Sequence, residues 1–233
     1  LIGKLSAQRA EAERRSNSGL DFVRTSGSSV IDSRRILRVP LYYDFASSLC
    51  YVTHRAMQRM AGTLGELGIA LAWLPLDLGR LLGPYVAGEE VPDARRENAR
   101  RVAAELGVAL DVPRIWPDSA ALNAAAFTAE RAGRGETWRE RVFTAMFEEH
   151  RLAPSDDDVL ALAREIALPL AANDLARGRR ELEVKTEVAR EEQVTGVPTF
   201  MLGTWPFGGI QPDDTMKRVL ERYAQKARAG DIS

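Results

Sequence analysis

Asp44-Phe45-Ala46-Ser47-Ser48-Leu49-Cys50-Tyr51-Val52-Thr53-His54 joins two different patterns. Before it, Ile36 to Tyr43 is an apolar run of strand length. After it, apolar residues recur at Leu49, Val52, Ala56, Met57, Met60, Leu64 and Leu67, the spacing of one helix face. Ser47 and Ser48 stand where a hydroxyl satisfies amides left unpaired in a first turn. A strand that runs directly into a helix start presents free N–H groups and the positive end of the helix dipole to the space above it. Those groups favour an anion, above all a thiolate.

Working outward, Pro40 cannot donate to a ladder, so the paired part of the first strand is expected at Leu41–Phe45. The helix is expected to run to Leu67, with Gly68 as its stop. Ile69 to Leu76 reads as a second strand, and a strand–helix–strand unit of this length implies a parallel crossover. From Pro92 the pattern turns helical, with segments Asp93–Leu106, Asp118–Ala132, Thr137–His150, one capped at Ser155, and Arg179–Val194. Trp138, Val142, Phe143, Met146 and Phe147 make a core stripe on the third of these. Thr199–Leu202 and Trp205–Ile210 form a hairpin through Gly203-Thr204. Pro212 opens a last helix that buries Met216, Val219, Leu220 and Tyr223. The order predicts an α/β domain from residues 36–90 and 190–230, interrupted by a helical insertion at 91–189. Residues 1–35, with Ser16-Asn17-Ser18-Gly19 and Ser26-Gly27-Ser28-Ser29, read as a tail or as an arm that exchanges with a partner subunit.

Bulk properties narrow the function classes. A chain of 233 residues with 45% hydrophobic and 28% charged residues has the composition of a globular protein. Its formal net charge of −1 gives no drive toward nucleic acid or an acidic membrane, and no apolar run approaches the ~20 residues that span a bilayer. There is 1 cysteine, so neither an internal disulfide nor an internal dithiol cycle can form. That count, with no secretory leader visible, fits the cytoplasm. Cys50 and His54 lack further metal ligands, since His150 is the only other histidine.

Three blocks carry a family resemblance. The D-F-x-x-x-x-C-Y of Asp44–Tyr51, followed by a basic amphipathic helix, resembles the active-site segment of DsbA-like thioredoxin-fold proteins, whose motif is Cys-x-x-Cys at the first helix start. On that pattern the second cysteine falls on Cys50 and the first on Ser47, giving Ser-x-x-Cys. Thr195-Gly196-Val197-Pro198-Thr199-Phe200 resembles the cis-proline loop that faces the motif. Gly209-Ile210-Gln211-Pro212 is similar to the Gly-x-Gln-Pro of the FrnE-like branch. The resemblance covers about residues 36–228 and implies a thioredoxin fold with an inserted all-helical domain. Related 2-hydroxychromene-2-carboxylate isomerases and kappa-class glutathione transferases place a serine at the first motif position to hold glutathione sulfur. The isomerase branch is expected to show a Trp-Gly-x-Asp-Arg type block where this chain has Phe207-Gly208-Gly209-Ile210-Gln211, a departure that favours the FrnE-like branch.

The resemblance implies roles for named residues. Ser47 cannot make the family's thiol attack, because a serine hydroxyl is not ionised near neutral pH without a strong base. It can donate a hydrogen bond to a thiolate supplied by another molecule. Cys50, one turn deeper, is either a small buried apolar residue or a monothiol that forms a mixed disulfide. His54, at i+4, favours the thiolate if protonated. Val197, Pro198 and Thr199 offer a backbone edge to an extended peptide such as glutathione, and Gln211 is a candidate for a ligand's polar end. Three readings follow. The first is a DsbA/FrnE-like oxidoreductase working as a monothiol or with a small thiol such as glutathione. The second is a glutathione-dependent isomerase or transferase of kappa type, and the third a non-catalytic peptide-binding module. No tightly bound cofactor is expected, glutathione is the implied cosubstrate, and the family implies a homodimer.

Overall fold

The computed structural model describes residues 36–83, 85–151 and 155–231, so the arm expected at 1–35 lies outside the described residues. Four strands and nine helices are described. The sheet order is β2-β1-β3-β4, with β1 at Leu37–Tyr43, β2 at Ile69–Pro75, β3 at Thr199–Leu202 and β4 at Trp205–Gly208. β1 pairs parallel with β2, and β3 runs antiparallel to both β1 and β4. The architecture is a thioredoxin fold whose helical insertion lies between β2 and β3. No described helix is long and apolar enough to cross a membrane.

The first strand is longer than Pro40 led us to expect, and the ladder shows why. Leu37 donates to Gly68 O and Tyr43 O accepts from Leu76 N, so the odd-numbered residues of β1 turn their backbone groups toward β2. Pro40 therefore faces the β3 side, where pairing begins only at Leu41↔Phe200 and Tyr42↔Thr199. Its missing N–H costs no ladder bond, and Pro40 pairs with Ala72 inside the strand.

The helix after the motif is also divided. α1 spans Ser48–Arg59 and α2 spans Ala61–Glu66, with Met60 leaving helical geometry at φ −85 and ψ 4. Gly62 and Gly65 weaken the second piece, because glycine gives up the most backbone entropy on ordering. Gly68, at φ +60, then turns the chain into β2. A short helix, α3 at Leu78–Leu81, has no counterpart among the expected elements; Asp77 caps it by accepting from Arg80 N at 3.1 Å.

The insertion consists of α4 (Asp93–Glu105), α5 (Ala120–Arg131), α6 (Gly135–Phe147), α7 (Asp156–Glu165) and α8 (Ala172–Glu191). α8 starts seven residues ahead of the expected Arg179, with Asp174 in its first turn accepting from Ala171 N at 3.0 Å. The expected stripe on α6 is core, and Trp138 is fully buried with its indole N–H donating to Leu122 O at 3.2 Å. One apolar cluster joins sheet residues Val39, Leu41 and Phe200 to Leu122, Trp138 and Phe143 of the insertion. The last helix, α9, runs Asp213–Ala229 and buries Met216 and Leu220 against the same cluster.

Candidate active site

The site begins where β1 ends. Asp44 is buried, yet its carboxylate accepts from Ala46 N at 2.9 Å, Ser119 Oγ at 2.6 Å and Leu78 N at 2.8 Å. Burial pushes its pKa up, and the donors from Ser119, Ala46 and Leu78 offset part of that. Asn123 works beside it, accepting from Phe45 N at 3.3 Å and donating to Leu76 O at 3.1 Å. The β1–α1 turn is thus tied to the start of α3 and to the first turn of α5. Asp44 was not among the expected site residues, although a carboxylate closing an apolar strand is a legible signal, because a buried charge requires partners.

Ser47 is the N-cap of α1, with extended backbone at φ −87 and ψ 114. Its hydroxyl oxygen accepts from Cys50 N at 3.4 Å, while its carbonyl takes Cys50 N at 2.9 Å and Tyr51 N at 3.2 Å. The Ser47 side chain is mostly buried and borders a cleft of about 370 Å³. Ser48, Val197 and Gly196 share that border, and the far wall is Val91, Arg95, Val112 and Trp116. The cleft therefore lies between the α1 N-terminus, the loop before β3 and the helical insertion.

The other expected residues separate into two groups. Val197 reaches the cleft, and its N–H and C=O make no hydrogen bond among the described residues. The Val197–Pro198 peptide is cis. Thr199 is buried and braces the loop, its hydroxyl donating to Gly196 O at 2.8 Å, while Pro198 O accepts from Gly209 N at 2.8 Å. Gln211 is exposed and does not border the cleft.

Cys50 has no exposed surface, and burial pushes its thiol up to about 12, against the smaller opposing effects of the Asp44 backbone and the Ser47 hydroxyl. A thiol in that state is protonated at neutral pH and is a poor nucleophile.

His54 faces away from the cleft. Its ring lies 5.7 Å from Trp73 and 5.2 Å from Phe143, and Nε2 is 2.9 Å from Glu140 Oε2. Burial lowers the His54 pKa, with Glu140 opposing only in part, so the imidazole is neutral and gives no charge to Cys50. Burial alone would raise Glu140, but hydrogen bonds from Arg55, His54 and Gln58 outweigh it and hold its carboxyl at about 2. Both groups have folded pKa values below their unfolded ones. Their stabilisation is complete above the unfolded value and is lost as pH falls through the folded one. Urea midpoints measured across pH should fall first below the histidine value of 6.5 and again from 4.5 toward 2. Glu140→Gln should shrink the lower step, the remainder coming from Glu149, Asp156 and Glu165, whose arginine partners also hold their carboxyls down. A lower step unchanged by Glu140→Gln would contradict this account.

Arg95, Asn98 and Trp116 are the cleft residues that no pattern in the sequence marks. They lie on the insertion, more than forty residues from the motif, and only packing brings them to it.

The family model for the DSBA-like thioredoxin domain matches residues 38–223. A 2-hydroxychromene-2-carboxylate isomerase structure is 20% identical and superposes with a TM-score of 0.63, covering 84% of this chain and 100% of that one. A probable DsbA oxidoreductase from Streptomyces coelicolor is 19% identical with a TM-score of 0.64, covering 82% and 91%. The cytosolic disulfide reductase DsbM from Pseudomonas aeruginosa, solved with GSH, is 18% identical with a TM-score of 0.54, covering 83% and 98%. These likenesses describe a shared fold, and the family model spans nearly all of the described residues. With a strand running into a capped helix, a facing loop before β3 and helices inserted between β2 and β3, the chain belongs to the DSBA-like thioredoxin domain family.

Proposed function

We propose that the protein is a thiol-dependent oxidoreductase that borrows its reactive sulfur from a small peptide thiol such as glutathione, bound in the cleft with its sulfur at Ser47. The observation that carries this reading is the contrast between the two motif residues. Ser47 borders the cleft with its hydroxyl at a helix N-terminus, whereas Cys50 is fully buried with its thiol held protonated. A hydroxyl donor, first-turn amides and the dipole of α1 all lower the energy of S⁻ more than of S–H. Val197 supports it by offering an unpaired backbone edge to an extended ligand, the recognition mode of strand addition. The likeness to a reductase solved with GSH points the same way.

In this reading the bound thiolate attacks one sulfur of a disulfide substrate. A mixed disulfide between the bound thiol and that sulfur forms, the substrate S–S bond breaks, and the released thiolate takes a proton from water. A second molecule of the small thiol, as its thiolate, then attacks the bound thiol's sulfur in the mixed disulfide. The S–S bond to the substrate breaks, the substrate's second sulfur leaves as a thiol, and the two small thiols depart as their oxidised disulfide, having supplied the two electrons. The apolar wall of Val91, Val112 and Trp116 also suits attack on a carbon electrophile, the chemistry of kappa-type transferases and isomerases.

Calorimetric titration with reduced glutathione and the thiolate absorbance of the complex test the proposal. Ser47→Ala should weaken binding or raise the bound thiol's pKa by an amount equal to one charge-assisted hydrogen bond, about 10- to 100-fold in the ionised complex. Cys50→Ala should leave binding and disulfide reduction within about twofold. Loss of turnover in Cys50→Ala with Ser47→Ala unaffected would reverse the assignment and make the chain a monothiol. Tight binding without turnover would make it a binding module.

A further inference from the structure

We propose that the thiol this cleft accepts must carry a carboxylate away from its sulfur, and that Arg95 is the residue that selects for it. The inference rests on the thiol reading above and adds the ligand's charge to it. Arg95 stands on the first turns of α4 and borders the same cleft as Ser47. Two other arginines of α4 are committed elsewhere, Arg96 to Asp93 at 3.0 Å and Arg101 to Glu105 at 2.6 Å, whereas Arg95, like Arg100, makes no ion pair among the described residues; of these two only Arg95 borders the cleft.

The guanidinium is nevertheless held in place. It lies 5.8 Å from the centre of the Trp116 ring, a cation–π distance. Trp116 is in turn fixed by the Tyr85 ring at 4.7 Å and by two backbone bonds, Gly88 N to Trp116 O at 2.9 Å and Trp116 N to Glu89 O at 2.8 Å. That contact uses no N–H donor as a hydrogen bond, so the guanidinium keeps available the fork that matches a carboxylate. None of the residues bordering the cleft is acidic. An unpaired cation at one place and a helix N-terminus at another make the cleft electropositive, so a thiol with a remote carboxylate satisfies both ends and an uncharged thiol satisfies one.

The test is calorimetric titration of the full chain with glutathione and with glutathione diethyl ester, at low and at moderate salt, for the wild type and for Arg95→Gln, Arg95→Lys and Ser47→Ala. The free acid should bind about 10- to 100-fold tighter than the diester. Arg95→Gln should abolish that preference and most of the salt dependence, Arg95→Lys should restore part of it, and Ser47→Ala should weaken both ligands while leaving the preference intact. Equal affinity for acid and diester, with Ser47 dependence retained, would overturn the carboxylate selection and leave the thiol reading standing. No binding of either ligand would overturn both. Arg95 is exposed, so a melting temperature unchanged by its substitution is the expected control.

Discussion

Gly178→Ala is expected to lower the unfolding free energy by about 3 kcal/mol, the upper end of what overpacking usually costs. For a domain of this size that corresponds to a fall in melting temperature of about 6–12 °C. Gly178 lies inside α8 where that helix crosses α5, and a Cβ added to it would sit 2.2 Å from Ala124 O and 2.8 Å from Ala124 C. Those are backbone atoms, so relief requires moving a helix rather than turning a side chain. Ser119, the N-cap of α5, and Asn123, in its first turn, grip Asp44 and the β1–α1 turn, so the displacement reaches the cleft. Gly65→Ala in α2 is the matched control. A Cβ at Gly65 would have nothing within 4 Å, and the change should be neutral or stabilise by about 0.5–1 kcal/mol. Thermal melts of the two variants side by side decide the point. Equal effects would mean that the α5–α8 crossing has more slack than the geometry implies.

Asp44→Ala should cost about 3–5 kcal/mol and abolish the thiol binding proposed above. Its carboxylate is the shared acceptor for the Ser119 hydroxyl and for the Ala46 and Leu78 amides, all in a region closed to water. Removing it strands three donors, each worth about 1–3 kcal/mol when buried without a partner. The two segments it joins are those that place Ser47 and the α3 side of the cleft, so the loss is both of stability and of site geometry. Asp44→Asn should be milder, about 1–3 kcal/mol, because its amide nitrogen turns a donor toward a position that needs an acceptor. Urea denaturation with glutathione titration measures both consequences. An Asp44→Ala variant as stable as the wild type would show that water satisfies those donors.

The local periodicities of the chain determined its elements and their order. A two-residue period and a 3.6-residue period are written by neighbouring residues, and so are caps such as Ser47, Ser155 and the prolines that open helices. The Ser-x-x-Cys motif and the Val197-Pro198 loop were legible for the same reason, together with the family to which their order belongs. Pro40 and Met60 escape a local reading because the first depends on which side of β1 the third strand covers, and the second on how two glycines yield to packing. Tertiary structure alone decided the chemistry of the motif. It buried Cys50 and held its proton, turned His54 toward Glu140, and left Ser47 facing the cleft. It also brought Arg95 and Trp116 from the helical insertion to the cleft that Ser47 borders. Burial and long-range contact set a group's charge and its partners, and neither quantity is written in the residues beside it.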